Sequence, residues 1–193
     1  MSKLELIIGP MFSGKSTELV RRVRELHQLE KNVLVIKPSI DNRYEKGDRE
    51  LITHNNDSIK CNVMERLSEL DEFVIKLIDT IIIDEGQFFS DLKETVLFWL
   101  AKYKINIIVA GLDGDYQRNP IGDILNLIPH SDVCTKLTAR CVECRDNTPS
   151  PFTRRTIQSN EQILIGGAEM YEPVCRMHYH SITSINSINT YTP

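Results

Sequence analysis

The run Gly9-Pro10-Met11-Phe12-Ser13-Gly14-Lys15-Ser16 matches G-x-x-x-x-G-K-[ST] at every fixed position and constrains the fold more than any other stretch. It follows Leu4-Glu5-Leu6-Ile7-Ile8, a short β-prone run, and precedes residues 17–29, where Leu19, Val23 and Leu26 recur at helical spacing. Strand, glycine-rich loop and helix in that order make a phosphate site. The glycines let successive backbone N–H groups turn toward phosphate oxygens, and the helix N-terminus adds partial positive charge. Gly9, Pro10, Met11, Phe12, Ser13, Gly14, Lys15, Ser16 and Thr17 are therefore predicted to line the phosphates of a nucleoside triphosphate. Lys15 would neutralise the β- and γ-phosphates, and the Ser16 hydroxyl would ligate Mg²⁺. A ligand-free turn would require the lysine, the serine, the strand and the helix to coincide by chance.

The following residues repeat the pattern. Asn32 to Lys37 holds four consecutive apolar residues, as a strand covered on both faces requires. Strand, helix and strand so close together imply parallel pairing. Thr80 to Asp84 and Ile105 to Gly111 read as further strands, with Leu92 to Tyr103 as the helix between them. Residues 67–77 read as another helix, apolar at Leu67, Leu70, Phe73, Val74 and Leu77. Leu112 to Pro129 reads as a turn-rich linker with a short helical piece near Ile128, and Val133 to Leu137 as a last core strand. The expectation is an α/β fold, a P-loop (RecA-like) doubly wound and mostly parallel sheet over residues 1–137. From about Thr138 the alternation stops and cysteines appear, so residues 138–180 read as a small zinc-binding unit. Residues 181–193, a loose polar repeat with single isoleucines, read as a disordered tail.

Composition excludes several classes. A net charge of −4 shows no basic excess of the kind a nucleic-acid binder carries. No apolar run approaches the roughly 18 to 20 residues of a membrane span. The N-terminus enters the first strand without room for a signal or transit peptide, so the expected location is cytoplasmic. Neither nucleic acid nor membrane is an expected partner.

Five cysteines in a reducing compartment argue against a disulfide framework. Cys141-x-x-Cys144 and Cys175-x-x-His178, thirty residues apart, have the layout of two knuckles gripping one tetrahedral Zn²⁺. His178 keeps the knuckle spacing better than its rival His180. Four protein ligands leave no open position, so the zinc would be structural. Cys61 and Cys134 have no partner at such spacing and read as packing residues.

Two adjacent acids close the third strand. Asp84 would complete the Mg²⁺ environment beside Ser16. Glu85, leaving the strand in another direction, could take a proton from an acceptor hydroxyl as that hydroxyl attacks the γ-phosphate. Spacing alone leaves a kinase and a water-activating ATPase both open.

The run from Gly9 to Leu19, with Asp84-Glu85-Gly86-Gln87-Phe88-Phe89, Leu112-Asp113-Gly114, Tyr116-Gln117-Arg118, Ile124 to Leu127, Lys136 to Ala139 and Gly166-Gly167-Ala168, resembles the type II thymidine kinases. The resemblance runs from about Lys3 to Tyr179. It implies ATP-dependent phosphorylation of the thymidine 5′-hydroxyl, with Glu85 as base, Lys15 and Arg43 stabilising the transferring phosphoryl, and Asp41 supporting Arg43. It also implies that residues 138–180 include a lasso closing over the nucleoside. Met11, Asp41, Phe88, Leu112, Tyr116, Phe152, Thr153, Ile163, Leu164, Ile165, Gly166, Gly167 and Tyr171 would form that pocket. Tyr116 departs from the commoner phenylalanine, and Ile121 stands where many members have another. The base would be read by backbone groups of Ile163 to Gly167, leaving the Gln162 side chain dispensable. The family further implies a homotetramer and feedback inhibition by dTTP. Two other classes fit the fold elements: a P-loop ATPase whose zinc ribbon acts on nucleic acid, and a nucleotide-switched binding module.

Overall fold

A computed structural model describes residues 2–40, 50–52 and 58–180. Asp41, Arg43 and the tail at 181–193 lie outside the described residues. Six strands form one sheet: β1 (Lys3–Ile8), β2 (Val33–Pro38), β5 (Asn62–Met64), β6 (Thr80–Ile83), β7 (Asn106–Gly111) and β8 (Val133–Lys136). Their order is β5-β2-β6-β7-β1-β8, and every pairing is parallel. Two short strands, β3 (Glu50–Ile52) and β4 (Ser58–Lys60), pair antiparallel beside this sheet. Neither they nor β5 was marked by any sequence period, being three residues each.

The sheet is covered on both faces, and the strands alternate accordingly. Leu4, Leu6 and Ile8 of β1 join one core cluster with Ile81, Ile83, Ile107 and Val109. Leu92, Val96 and Trp99 of helix α3 (Leu92–Lys102) complete that side, with Ile124 and Leu127 of a 3₁₀ helix at Ile124–His130. Ile7, Val35, Ile82, Ile108 and Ala110 face the other way, against Leu19, Val20 and Val23 of helix α1 (Lys15–Gln28). Each fully buried aliphatic side chain contributes on the order of 1.5–3 kcal/mol, so these two layers dominate the stability.

Residues 67–77 do not form the single helix that their apolar spacing predicts. A 3₁₀ turn at Leu67–Glu69 ends at an extended Leu70, and a four-residue helix, α2 (Glu72–Ile75), starts afresh. Two carboxylates impose the break. Asp71 caps α2, accepting from the Phe73 N–H at 2.7 Å. Asp91, 1% exposed, accepts from the Leu67 and Ser68 N–H groups at 3.2 and 2.9 Å, fixing the 3₁₀ turn. Leu67 and Ile75 are buried, whereas Phe73 and Leu77 stand in solvent at 78% and 72% exposure. Strand β8 lies at the sheet edge with all four residues exposed, so Cys134 is not a packing residue, whereas Cys61 is buried.

Burial works to raise the Asp91 pKa, but the Ser68 and Leu67 N–H groups outweigh it and hold the carboxyl below its usual range. Asp91→Ala should destabilise the fold by about 2 kcal/mol in denaturant titration, because two N–H groups lose their acceptor. In the wild type this contribution is complete above an unfolded-state pKa of about 3.9 and is lost as pH falls through the lower folded-state value.

Candidate functional site

The phosphate loop leaves the end of β1 and enters α1 through Gly14, which caps the helix at φ 84°, ψ 19°. That left-handed conformation costs glycine little and an L side chain about 1–2 kcal/mol. Lys15 is buried at 7% exposure, and its ammonium donates to the carbonyls of Pro10 at 2.8 Å and Gly9 at 3.2 Å. The Ser13 hydroxyl donates to the Pro10 carbonyl at 2.8 Å. Lys15 is thus held against the loop's own carbonyls, within the cradle where phosphate oxygens would compete for it.

Strand β7 separates β1 from β6, yet the acid at the end of β6 still reaches the loop. Ser16 Oγ donates to Asp84 Oδ2 at 3.2 Å, and Asp84 Oδ1 accepts from the Glu85 N–H at 2.9 Å. Both acids are buried, at 2% and 8% exposure. Glu85 adopts φ 49°, ψ 42°, a left-handed conformation rare outside glycine and asparagine. Glu85 Oε2 accepts from Gln87 Nε2 at 2.6 Å, and Gln87 Oε1 accepts from the Leu112 N–H at 3.0 Å.

Gln87 lies within the motif Asp84 to Phe89, but no sequence pattern assigns its side chain a role. Buried at 3% exposure, it spends both ends of its carboxamide joining Glu85 to the loop after β7. Gly122, at φ 55°, leaves room for it, because a Cβ there would overlap the Gln87 carbonyl.

Residues after β8 pack against this rim. β9 (Ala139–Arg140) pairs with β10 (Pro149–Ser150), and β11 (Phe152–Arg155) with β12 (Tyr171–Val174), all antiparallel. Thr153 Oγ1 accepts from the Met11 N–H at 2.9 Å, docking β11 on the phosphate loop. A cavity of about 200 Å³ opens there, lined by Pro10, Asp113, Lys136, Phe152 and Thr153 among others. Phe152 also packs on Tyr179, with ring centroids 5.4 Å apart. Tyr116 and Tyr171 meet through Arg155, which lies over both rings. Phe88 and Leu112 are half-buried on the segments that follow Glu85 and β7.

Ile163 to Gly167 is irregular, as a segment offering backbone groups should be. Some of those groups are engaged within the chain: the Leu164 carbonyl accepts from Tyr171 Oη at 2.7 Å, and the Gly167 N–H donates to Glu169 at 2.7 Å. The Gln162 side chain, expected to be dispensable for reading the base, is engaged within the chain. Its Nε2 donates to Asp115 Oδ2 at 3.1 Å and to the Pro120 carbonyl at 3.3 Å, pinning the segment to the main sheet's loops.

Cys141, Cys144, Cys175 and His178 converge, their ligand atoms all within 4.8 Å of one another. Zn–S bonds of about 2.3 Å and Zn–N bonds of about 2.0–2.1 Å give tetrahedral edges of roughly 3.8 Å (S···S) and 3.6 Å (S···N). Cys144 Sγ and Cys175 Sγ are 3.8 Å apart, and His178 Nδ1 lies 3.3 to 3.5 Å from all three sulfurs. The donor set and spacing fit Zn²⁺. His180 is not a member of the cluster and packs edge-on against Tyr179. Arg154 braces the surroundings, pairing with Glu143 and Glu172 and donating to the His178 carbonyl at 3.1 Å.

Fold and site together define a P-loop α/β protein with an acid pair on the rim beside its phosphate loop. The family model described as thymidine kinase matches residues 2–179. A thymidine kinase of Yaba monkey tumor virus is 43% identical over 94% of this chain and 96% of its own length. One from vaccinia virus (strain Ankara) is 44% identical over 91% of this chain and 96% of its own. A rice thymidine kinase is 43% identical over 92% of this chain and 66% of its own length. The chain belongs to the thymidine kinase family, whose reaction is ATP-dependent phosphorylation of thymidine.

Metal analysis of the purified chain should find one zinc per chain. Cys144→Ser and His178→Ala should each lose it, while His180→Ala retains it. Zinc retained at full stoichiometry by His178→Ala would assign the fourth ligand elsewhere.

Proposed function

We propose that this chain moves the γ-phosphoryl group of ATP to the 5′-hydroxyl of thymidine, giving thymidine monophosphate and ADP. The observation that carries this reading is the buried relay from Ser16 through Asp84 and Glu85 to Gln87 and Leu112. It sets Asp84 against the phosphate loop and turns Glu85 toward Gln87, which supports assigning Glu85 to the acceptor side. With Oε2 engaged by Gln87, the Glu85 carboxylate is oriented to accept the 5′-hydroxyl proton as the new O–P bond forms and the bond to ADP breaks. Lys15 exchanges its carbonyl partners for phosphate oxygens and stabilises the charge that builds on them. Ser16 and Asp84 are hard oxygen donors that would hold Mg²⁺, which would supply positive charge to offset the negative charge of the phosphates. Arg43, supported by Asp41, is assigned to the transferring phosphoryl on the family resemblance.

The nucleoside would be enclosed by the strap at 156–170, with Tyr116, Thr153, Phe152 and Tyr171 beneath it. Residues 1–137 would form the nucleotide-binding unit and 138–180 the zinc-stabilised lasso. Zinc at Cys141, Cys144, Cys175 and His178 would be structural, holding the base of the lasso closed. Feedback inhibition by dTTP, a homotetrameric assembly and a cytoplasmic location complete the proposal. No helix among the described residues is long and apolar enough to cross a membrane.

A phosphoryl-transfer assay across a nucleoside panel tests the reading. Thymidine and deoxyuridine should be phosphorylated and deoxycytidine rejected, because cytosine exchanges the N3 donor for an acceptor and the C4 acceptor for a donor. Efficient turnover of deoxycytidine would contradict backbone reading of the base. Glu85→Gln should lower kcat by about 10²–10⁴-fold with binding retained, the usual range for a lost general base. A folded variant that loses less than tenfold would remove Glu85 from that role. Lys15→Ala should weaken ATP binding and turnover together.

A further inference from the structure

Arg155 ends β11 where the chain leaves for the strap of residues 156–170. Its guanidinium lies 3.8 Å above the Tyr116 ring and 5.3 Å from the Tyr171 ring. Nη1 donates to the Glu161 carbonyl at 2.6 Å and the Ser159 carbonyl at 3.2 Å. Nη2 donates to the Gln162 carbonyl at 3.2 Å and to Tyr171 Oη at 2.9 Å. One side chain therefore gathers three strap carbonyls and two aromatic rings into a single knot. Tyr116 Oη adds a longer bond to the Ser159 carbonyl at 3.4 Å, which phenylalanine could not make.

The knot has the chemistry of a latch. A planar guanidinium can stack on a ring with its face while donating hydrogen bonds along its edges, which an ammonium cannot do. Tyr116 belongs to the loop after β7, so the stack fastens the strap to the main sheet rather than to itself. Beyond it, the strap is tied to that loop by Gln162, through Asp115 and the Pro120 carbonyl, and by the longer bond from Tyr116 Oη to the Ser159 carbonyl.

We infer that Arg155 is a positioning residue for the nucleoside, holding the strap in its ligand-receiving shape before thymidine arrives. The inference rests on the proposed nucleoside pocket beneath the strap. If the receiving shape is populated only fractionally, apparent affinity falls by that fraction. ATP, held by the phosphate loop, is bound by other groups. Loss of Arg155 should therefore weaken thymidine selectively, whereas a merely structural defect would depress every parameter together.

The experiment measures steady-state kinetics of the full chain and its cleavage by a glutamate-specific protease. Glu161 and Glu169 are exposed on the strap and report its opening. Arg155→Ala should raise the thymidine KM at least tenfold, with the ATP KM within twofold and zinc content unchanged. Strap cleavage should accelerate at least tenfold, and thymidine should protect the wild type. Arg155→Lys should recover part of the loss, with a three- to tenfold rise in thymidine KM; it carries the test if the alanine variant is insoluble. A thymidine KM that stays within threefold in these variants, or an equal rise in the ATP KM, overturns the role of Arg155. A wild type that phosphorylates no thymidine would instead sink the proposed function.

Discussion

Because β1, β7 and β6 run parallel and in register, their carboxyl ends emerge on one rim of the sheet, with Ile8 opposite Gly111 and Ile83 opposite Val109. Every described group proposed to handle phosphate hangs from that rim. The phosphate loop leaves β1, Asp84 and Glu85 leave β6, and Leu112 leaves β7. Ser16 and Asp84 come within 3.2 Å although a whole strand lies between their own strands. The α1 helix sets its N-terminus there because Leu19, Val20 and Val23 bind it to the opposite face of the same sheet. Apolar packing thus decides where the charges stand.

The rim is built from buried polar groups, and such groups are tolerated only when each is satisfied. Gln87 shows how closely this is managed. It satisfies Glu85 with its amide hydrogens and Leu112 with its oxygen, and the chain leaves a glycine at 122 where any Cβ would displace it. Glu85 itself sits in a left-handed backbone conformation that costs about 1 kcal/mol or more. Backbone strain of this kind gathers where geometry serves chemistry rather than stability.

What could be read from the sequence was what short spacing encodes. The phosphate loop, the strand ending in two acids and the paired knuckles each occupy a few consecutive residues, so their geometry is nearly implied by their order. The parallel core followed from strands and helices alternating with full apolar runs. Residues 67–77 misled because Asp71 and Asp91 compete for the backbone that a helix would use, and Asp91 acts from more than twenty positions away. The contacts of Gln87, Gln162 and Arg155 were illegible for the same reason. Their partners at Leu112, Asp115 and Tyr116 are neighbours only after folding.

Strand β1 leaves the ribosome well before its partners, since it pairs with β7, which begins at Asn106, and β8, which begins at Val133. Parallel pairing admits no local hairpin to hold it meanwhile. The loop that is to embrace phosphate therefore waits, without its flanking strands, until residues 106–136 have been synthesised. Closing such distant pairs raises the entropic barrier and slows the search for the native state. During that interval an apolar strand such as Leu4 to Ile8 is exposed to wrong partners. Nascent chains of this fold should accordingly be long-lived clients of whatever shields unpaired strands, and sensitive to pauses in translation before Lys136.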